Sequence, residues 1–109
     1  MKMARVILFT GQMDAMSAFY GDALGLKMVT NEQGWREFAA GPVRIGLHSG
    51  PSSPGRKGPK IVFFAKDVAA ARTKLAARGV RFGRLKAFGA LEMCDAKDPD
   101  GNPIQLSNR

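Results

Sequence analysis

The sequence predicts an α+β protein built from two βαβββ modules in tandem, and three observations carry that prediction. A short apolar run, a helix-period stretch and a glycine follow one another near the start, and the same order returns 54 residues later. After each glycine come three more strand-like runs separated by glycine-containing turns. A stretch rich in proline and glycine lies between the two copies, as a linker would.

The first module opens on Arg5 to Thr10 (RVILFT), rich in strand formers and ended by Gly11. In MDAMSAFYGDALG the residues Met13, Met16, Phe19, Tyr20 and Leu24 recur at helical spacing, which makes Met13 and Met16 helix-core or dimer-surface residues, and Gly25 supplies the stop. Leu26 to Asn31, Trp35 to Ala40 and Val43 to His48 then read as strands. The second module starts with Lys60 to Ala65 (KIVFFA) and continues with a helix marked by Val68, Ala71, Leu75 and Ala76 that ends at Arg78-Gly79. Its remaining strands are expected at Arg81 to Ala87, Ala90 to Ala96 and Ile104 to Asn108. Both last strands are entered through a proline, Pro42 and Pro103, at a place where no ladder donor is needed. The expected organisation is one domain over 1–109, with module 1 at 1–48, a linker at 49–59 and module 2 at 60–109. A ferredoxin-like βαββαβ sandwich fits the length but leaves two or three strands without places.

Seventeen Lys and Arg against nine Asp and Glu give a net charge of +8, so an anionic partner is expected: a small acid, a phosphate or nucleic acid. The basic residues are scattered, and the densest run, Arg81 to Lys86, is broken by Phe82, Gly83 and Leu85, which disfavours a phosphate-tracking nucleic-acid surface. Apolar runs are too short for a membrane helix or a secretory signal, which argues against a membrane partner. The single cysteine, Cys94, falls in a strand and fits a reducing compartment, so a cytoplasmic protein is expected. No phosphate-cradling glycine loop, CxxC pair, HExxH or nucleophile elbow is present.

Three segments then stand out: FYGDALGLKMV from Phe19 to Val29, FFAKDVAAARTKLAARGV from Phe63 to Val80, and the closing DPDGNPIQL. With the paired modules they resemble the vicinal oxygen chelate superfamily, which contains glyoxalase I, bleomycin resistance proteins and extradiol dioxygenases. The closing turn also has a local explanation, since Asp98 and Pro99 suit a type I turn and Gly101 accepts the backbone that follows. The resemblance implies curved mixed sheets around a cleft and, in metal-bearing members, four inward His or Glu ligands. By spacing those positions fall on Arg5, Gly46, Lys60 and Gln105, none of which is a metal-ligating acid, imidazole or thiolate. Each cation at about 5 Å in an effective dielectric near 20 would repel a unit positive charge by roughly 3 kcal/mol. No metal and no other cofactor are therefore expected.

Strand alternation places Ile7 and Phe9 with Arg5, Arg44 and His48 with Gly46, Val62 and Phe64 with Lys60, and Ser107 with Gln105. The expected ligand-binding set is Arg5, Phe9, Trp35, Arg44, His48, Lys60, Phe64 and Gln105, with Phe38 as an alternative to Trp35. A basic, partly aromatic lining of this kind suits a small anionic or aromatic molecule. His48, the only histidine, is the candidate catalytic residue, with Glu37 or Glu92 as spatial partner, and equally reads as a hydrogen-bonded rim residue. Lys60 reads as a solvated lysine or a nucleophile, and Trp35 as packing or a stacking surface. A small-molecule binding protein of the sequestering or resistance type, forming a homodimer, is the leading expectation. A lyase, isomerase or dioxygenase of the same superfamily is the alternative, and a nucleic-acid-binding protein a further one.

Overall fold

The computed structural model describes residues 1–54 and 58–109; residues 55–57 of the predicted linker lie outside the described residues. The chain divides into two compact units, Met1–Ser53 and Pro54–Arg109, with the division inside the predicted linker. In the first unit the order is β1 (Arg5–Thr10), α1 (Met13–Ser17) continuing into a π-helical stretch (Ala18–Ala23), β2 (Lys27–Glu32), β3 (Trp35–Ala40) and β4 (Val43–Ser49). The second unit carries β5 (Ile61–Phe64), α2 (Val68–Ala76), β6 (Lys86–Phe88), β7 (Leu91–Lys97) and β8 (Pro103–Ser107). Among the described residues no helix is long and apolar enough to cross a membrane.

Each unit forms one four-stranded mixed sheet, ordered β1-β4-β3-β2 and β5-β8-β7-β6. The first strand runs parallel to the last in both, Arg5 opposite Arg44 and Ile61 opposite Ile104, and the other neighbours are antiparallel. The βαβββ reading from the sequence is thus the observed α+β architecture, repeated with the same strand order. In each unit one sheet face meets the helix. Ile45, Leu47 and Phe38 are buried on that side of the first sheet, as are Ile104, Leu106 and Cys94 in the second.

Two elements differ from the sequence reading. The helix expected from Met13 to Gly25 is α-helical only to Ser17 and then widens, with the Leu24 N–H bonded to the Phe19 carbonyl five residues back. Gly21 lies in the middle of this stretch and lowers the cost of leaving α geometry. The strand expected over Arg81 to Ala87 shrinks to Lys86–Phe88. Arg72 of α2 explains why: its guanidinium donates to the Gly83 and Phe82 carbonyls at 2.9 and 3.3 Å, groups a strand ladder would otherwise use. Smaller shifts place Lys60 just before its strand and extend β4 to Ser49, the first residue assigned to the linker.

The helix signals in the sequence have clear counterparts. Asp67 caps α2 by accepting from the Ala70 N–H at 3.0 Å, and Gly79 follows the helix with φ 91°. In the closing turn the Gly101 N–H donates to the Asp98 carbonyl at 2.9 Å. The buried Asp98 side chain accepts from the Asp100 and Asn102 N–H groups at 3.0 and 2.9 Å, which delivers Pro103 to β8.

Candidate functional site

The face of the first sheet turned away from α1 carries three rows of side chains, set by register. Arg5 and Arg44 are opposite each other, then Ile7, Gly46 and Glu37, then Phe9, His48 and Trp35. Successive rows are two residues apart, about 6.6 Å. Arg5, Phe9, Trp35, Arg44 and His48 of the predicted set therefore share one face. Phe38, the alternative to Trp35, does not: it points to the helix side and is fully buried.

Glu37 joins these rows. It is 5% exposed, and its Oε2 accepts from Arg5 Nε at 3.0 Å. Its Oε1 accepts from the Thr30 hydroxyl at 3.0 Å and lies 3.5 Å from Arg44 Nη1. Burial alone would raise the Glu37 carboxyl; hydrogen bonds from Thr30 and Arg5, the neighbouring Trp35 side chain and the Arg5 charge overcome it and hold the pKa below its ordinary value. Glu37 is therefore an ionised anchor rather than a proton acceptor for His48.

Trp35 and Gly46 form a second contact that spacing alone did not reveal. A Cβ built on Gly46 would stand 2.5 Å from Trp35 Cη2, so the indole lies directly on the glycine backbone. His48 is exposed, its ring centroid 5.3 Å from Phe9 and 5.9 Å from Trp35. Its Nδ1 is 2.8 Å from the Ser49 carbonyl. A carbonyl only accepts, so Nδ1 carries the proton and Nε2 holds the lone pair when the ring is neutral. His48 is thus exposed and hydrogen-bonded beside two aromatic rings; Glu92, its other suggested partner, belongs to the second unit.

The open face of the second sheet repeats the carboxylate anchor with different chemistry. Asp95, opposite Gln105, accepts from Lys60 Nζ and from Gln105 Nε2, both at 2.9 Å, and lies 3.7 Å from Lys86 Nζ. Burial pushes its pKa up, and these hydrogen bonds and the two lysine charges bring it below the ordinary value. The Lys60 ammonium is thus engaged in an ion pair, which counts against the nucleophile reading. Phe64 is exposed on this sheet. Cys94 is buried in β7 on the helix side, where burial pushes its thiol up, away from reactive thiolate.

The metal implied by the resemblance does not fit these residues. In the first unit the two positions offer a guanidinium, Arg5, and a glycine covered by an indole. In the second they offer an ammonium, Lys60, and an amide, Gln105, whose NH2 is turned toward Asp95. Among the described residues no three His, Cys, Asp or Glu side chains come together as a metal would require. One part of the electrostatic expectation needs correction. Arg5 and Lys60 each meet a carboxylate, which offsets part of the repulsion assigned to them, so the missing donors are the stronger argument.

Glu37 and Asp95 are the site residues that sequence reasoning undervalued. A signal existed: the two-residue turn between Ala40 and Val43 sets Glu37 opposite Gly46 by counting, and the longer turn after Lys97 sets Asp95 opposite Gln105.

The sequence model of the Glyoxalase/Bleomycin resistance protein/Dioxygenase superfamily matches residues 2–106. No curated protein matches the sequence. Among solved structures the chain is similar to lactoylglutathione lyase from Agrobacterium tumefaciens, at 21% identity over 97% of this chain and 92% of that one, with a TM-score of 0.78. It is also similar to a glyoxalase/bleomycin resistance protein/dioxygenase from Nocardioides, at 16% identity over 98% and 82% of the two chains, TM-score 0.82. A protein of unknown function from Agrobacterium tumefaciens is 25% identical over 98% and 93%, TM-score 0.79. This likeness is one of fold.

Proposed function

The chain belongs to the glyoxalase/bleomycin resistance protein/dioxygenase superfamily, and from that premise we propose that it is a small-molecule binding protein of the sequestering or resistance type that works without a divalent ion. The observation that carries this reading is the first sheet's open face, where Arg5 and Arg44 meet Glu37 beside an aromatic group of Trp35, His48 and Phe9. Two cations against one carboxylate leave a positive surplus for a small anionic ligand, and the rings offer apolar area to an aromatic one. Lys60, Lys86 and Asp95 give the second face the same surplus beside Gln105 and Phe64. Sequestration needs affinity alone, whereas carbonyl or oxygen chemistry through a metal Lewis acid needs donors these positions lack.

The protein acts in the cytoplasm as a homodimer, with neither membrane nor nucleic acid as partner. Exposed Ile7, Phe9, Val62 and Phe64 on the edge strands β1 and β5 support self-association. Isothermal titration with a panel of small carboxylates and phosphates tests the binding reading. Affinity for at least one of them is expected to drop in Arg5→Ala or Lys60→Ala, and unchanged binding in both variants rejects it. A divalent ion held at one per chain in elemental analysis of the same material would reject the metal-free part.

A further inference from the structure

On the basis of this binding reading, we propose that Glu37 is the positioning residue of a preorganised receptor for aryl acids, aiming Arg5 and Arg44 of the first unit at one ligand whose ring lies on the neighbouring Trp35. Three features of the first sheet support this. The Glu37 carboxylate is used inside the protein, since it accepts from Arg5 Nε and Thr30 and faces Arg44 Nη1. The Arg5 bond engages Nε and not the two terminal nitrogens, and the Arg5 and Arg44 side chains remain 43% and 48% exposed. A guanidinium held by one edge still offers donors to an outside acid, which a lysine ammonium does only as a point charge.

The indole is fixed beside the same carboxylate, because it rests on Gly46, the residue directly opposite Glu37. The ring is pressed on Gly46, one row, or about 6.6 Å, along β4 from Arg44. Guanidinium donors, held by Glu37, and an aromatic plane, seated on Gly46, are thus fixed one row apart. A ligand that uses both has an acid group and a planar ring joined by a short spacer. Fixing the two before binding removes ordering cost that free side chains would add.

Trp35 is the only tryptophan, so its fluorescence reports on the receptor directly. The probes are 3-phenylpropionate, hexanoate without a ring and 2-phenylethanol without an acid, each followed by isothermal titration and Trp35 emission. The wild-type protein is expected to bind 3-phenylpropionate most tightly and to change emission with it. Glu37→Gln is expected to bind it about tenfold more weakly, with altered Trp35 emission before ligand is added and an unchanged far-ultraviolet circular dichroism spectrum. Thr30→Val, which removes only the hydroxyl holding Oε1, is expected to weaken binding several-fold without touching the ligand, and it decides the matter if Glu37→Gln does not fold. Wild-type affinity for 3-phenylpropionate in the variants overturns the positioning role alone. Equal affinity for hexanoate and 3-phenylpropionate overturns the aryl-acid class. Failure of the wild-type protein to bind any of the three, or any acid of the wider panel, overturns both this inference and the binding reading.

Discussion

A single methyl group at Gly46 gives the most direct test of how the first face is built. In Gly46→Ala the new carbon lands 2.5 Å from Cη2 of Trp35, and 3.1 and 3.2 Å from Cζ2 and Cζ3. Carbon atoms in good contact sit about 3.5–4.0 Å apart, so the nearest indole atom has to retreat by roughly 1 Å. That displacement would be cheap for a loose side chain end. It is costly here because three atoms of the indole already lie against the Gly46 backbone and the ring packs edge-on to His48 at 5.9 Å. Overpacking of this kind costs about 1–3 kcal/mol, which lowers the melting temperature of a chain of this size by roughly 5–15 °C.

The sign makes the test sharp. Alanine in a strand interior is otherwise better than glycine by about 0.5–1 kcal/mol, so Gly46→Ala should destabilise the wild-type protein and stabilise a Trp35→Ala background. Thermal or urea unfolding of the four proteins of this cycle gives the coupling, and tryptophan emission of Gly46→Ala reports the displaced ring. A neutral Gly46→Ala with unmoved emission, or a penalty that persists without the indole, would refute the claim that the glycine exists to seat Trp35.

Glu37 and Asp95 both have pKa values below their ordinary 4.5 and 3.8. The unfolded chain binds more protons than the folded one between the two sets of values, so their stabilisation is complete above about pH 4.5 and is lost as pH falls through the folded values. Melting temperature against pH should therefore decline in that acidic window, and the decline should flatten in a Glu37→Gln, Asp95→Asn double variant; an equally steep fall there would show that other groups are responsible. In the second unit, Asp67→Ala removes the acceptor for the Ala70 N–H and should cost about 1 kcal/mol in urea unfolding, with Asp67→Ser restoring most of it.

The parts of the fold legible in the sequence are those governed by short-range pattern. Trp35–Ala40 was readable to the residue, because alternation and a turn fix both ends. The exposed phase of Arg5, Ile7 and Phe9 against the more buried Val6 and Leu8 follows from period two alone. Where the sequence reading failed, side chains from elsewhere decided the backbone. Residues 81–85 look like a strand until Arg72, ten residues earlier, takes the Phe82 carbonyl. The site was half legible for the same reason. Cations at the start of each module can be placed from local pattern, whereas the carboxylates that receive them lie 32 and 35 residues away and need the register of the whole sheet.

That hidden pairing changes what the duplicated architecture means chemically. Both units place a carboxylate on the third module strand, opposite the position where the resemblance implies a metal ligand, and both bring a cation onto it, Arg5 from the first strand and Lys60 from just before it. A carboxylate held by a neighbouring cation has lone pairs already committed and is a poor ligand for a metal ion. The units differ in what surrounds the pair. Around Glu37 stand two guanidiniums and a hydroxyl, all directional donors; around Asp95 stand two ammoniums, compact charges with little geometry of their own, and an amide. On the proposed binding reading, shape selection among anions therefore belongs to the first face, while the second attracts them with little preference. Substituting Arg5 and Arg44 by lysine preserves every charge and should still cost ring-dependent discrimination, whereas exchanging Lys60 and Lys86 for arginine should leave discrimination where it was.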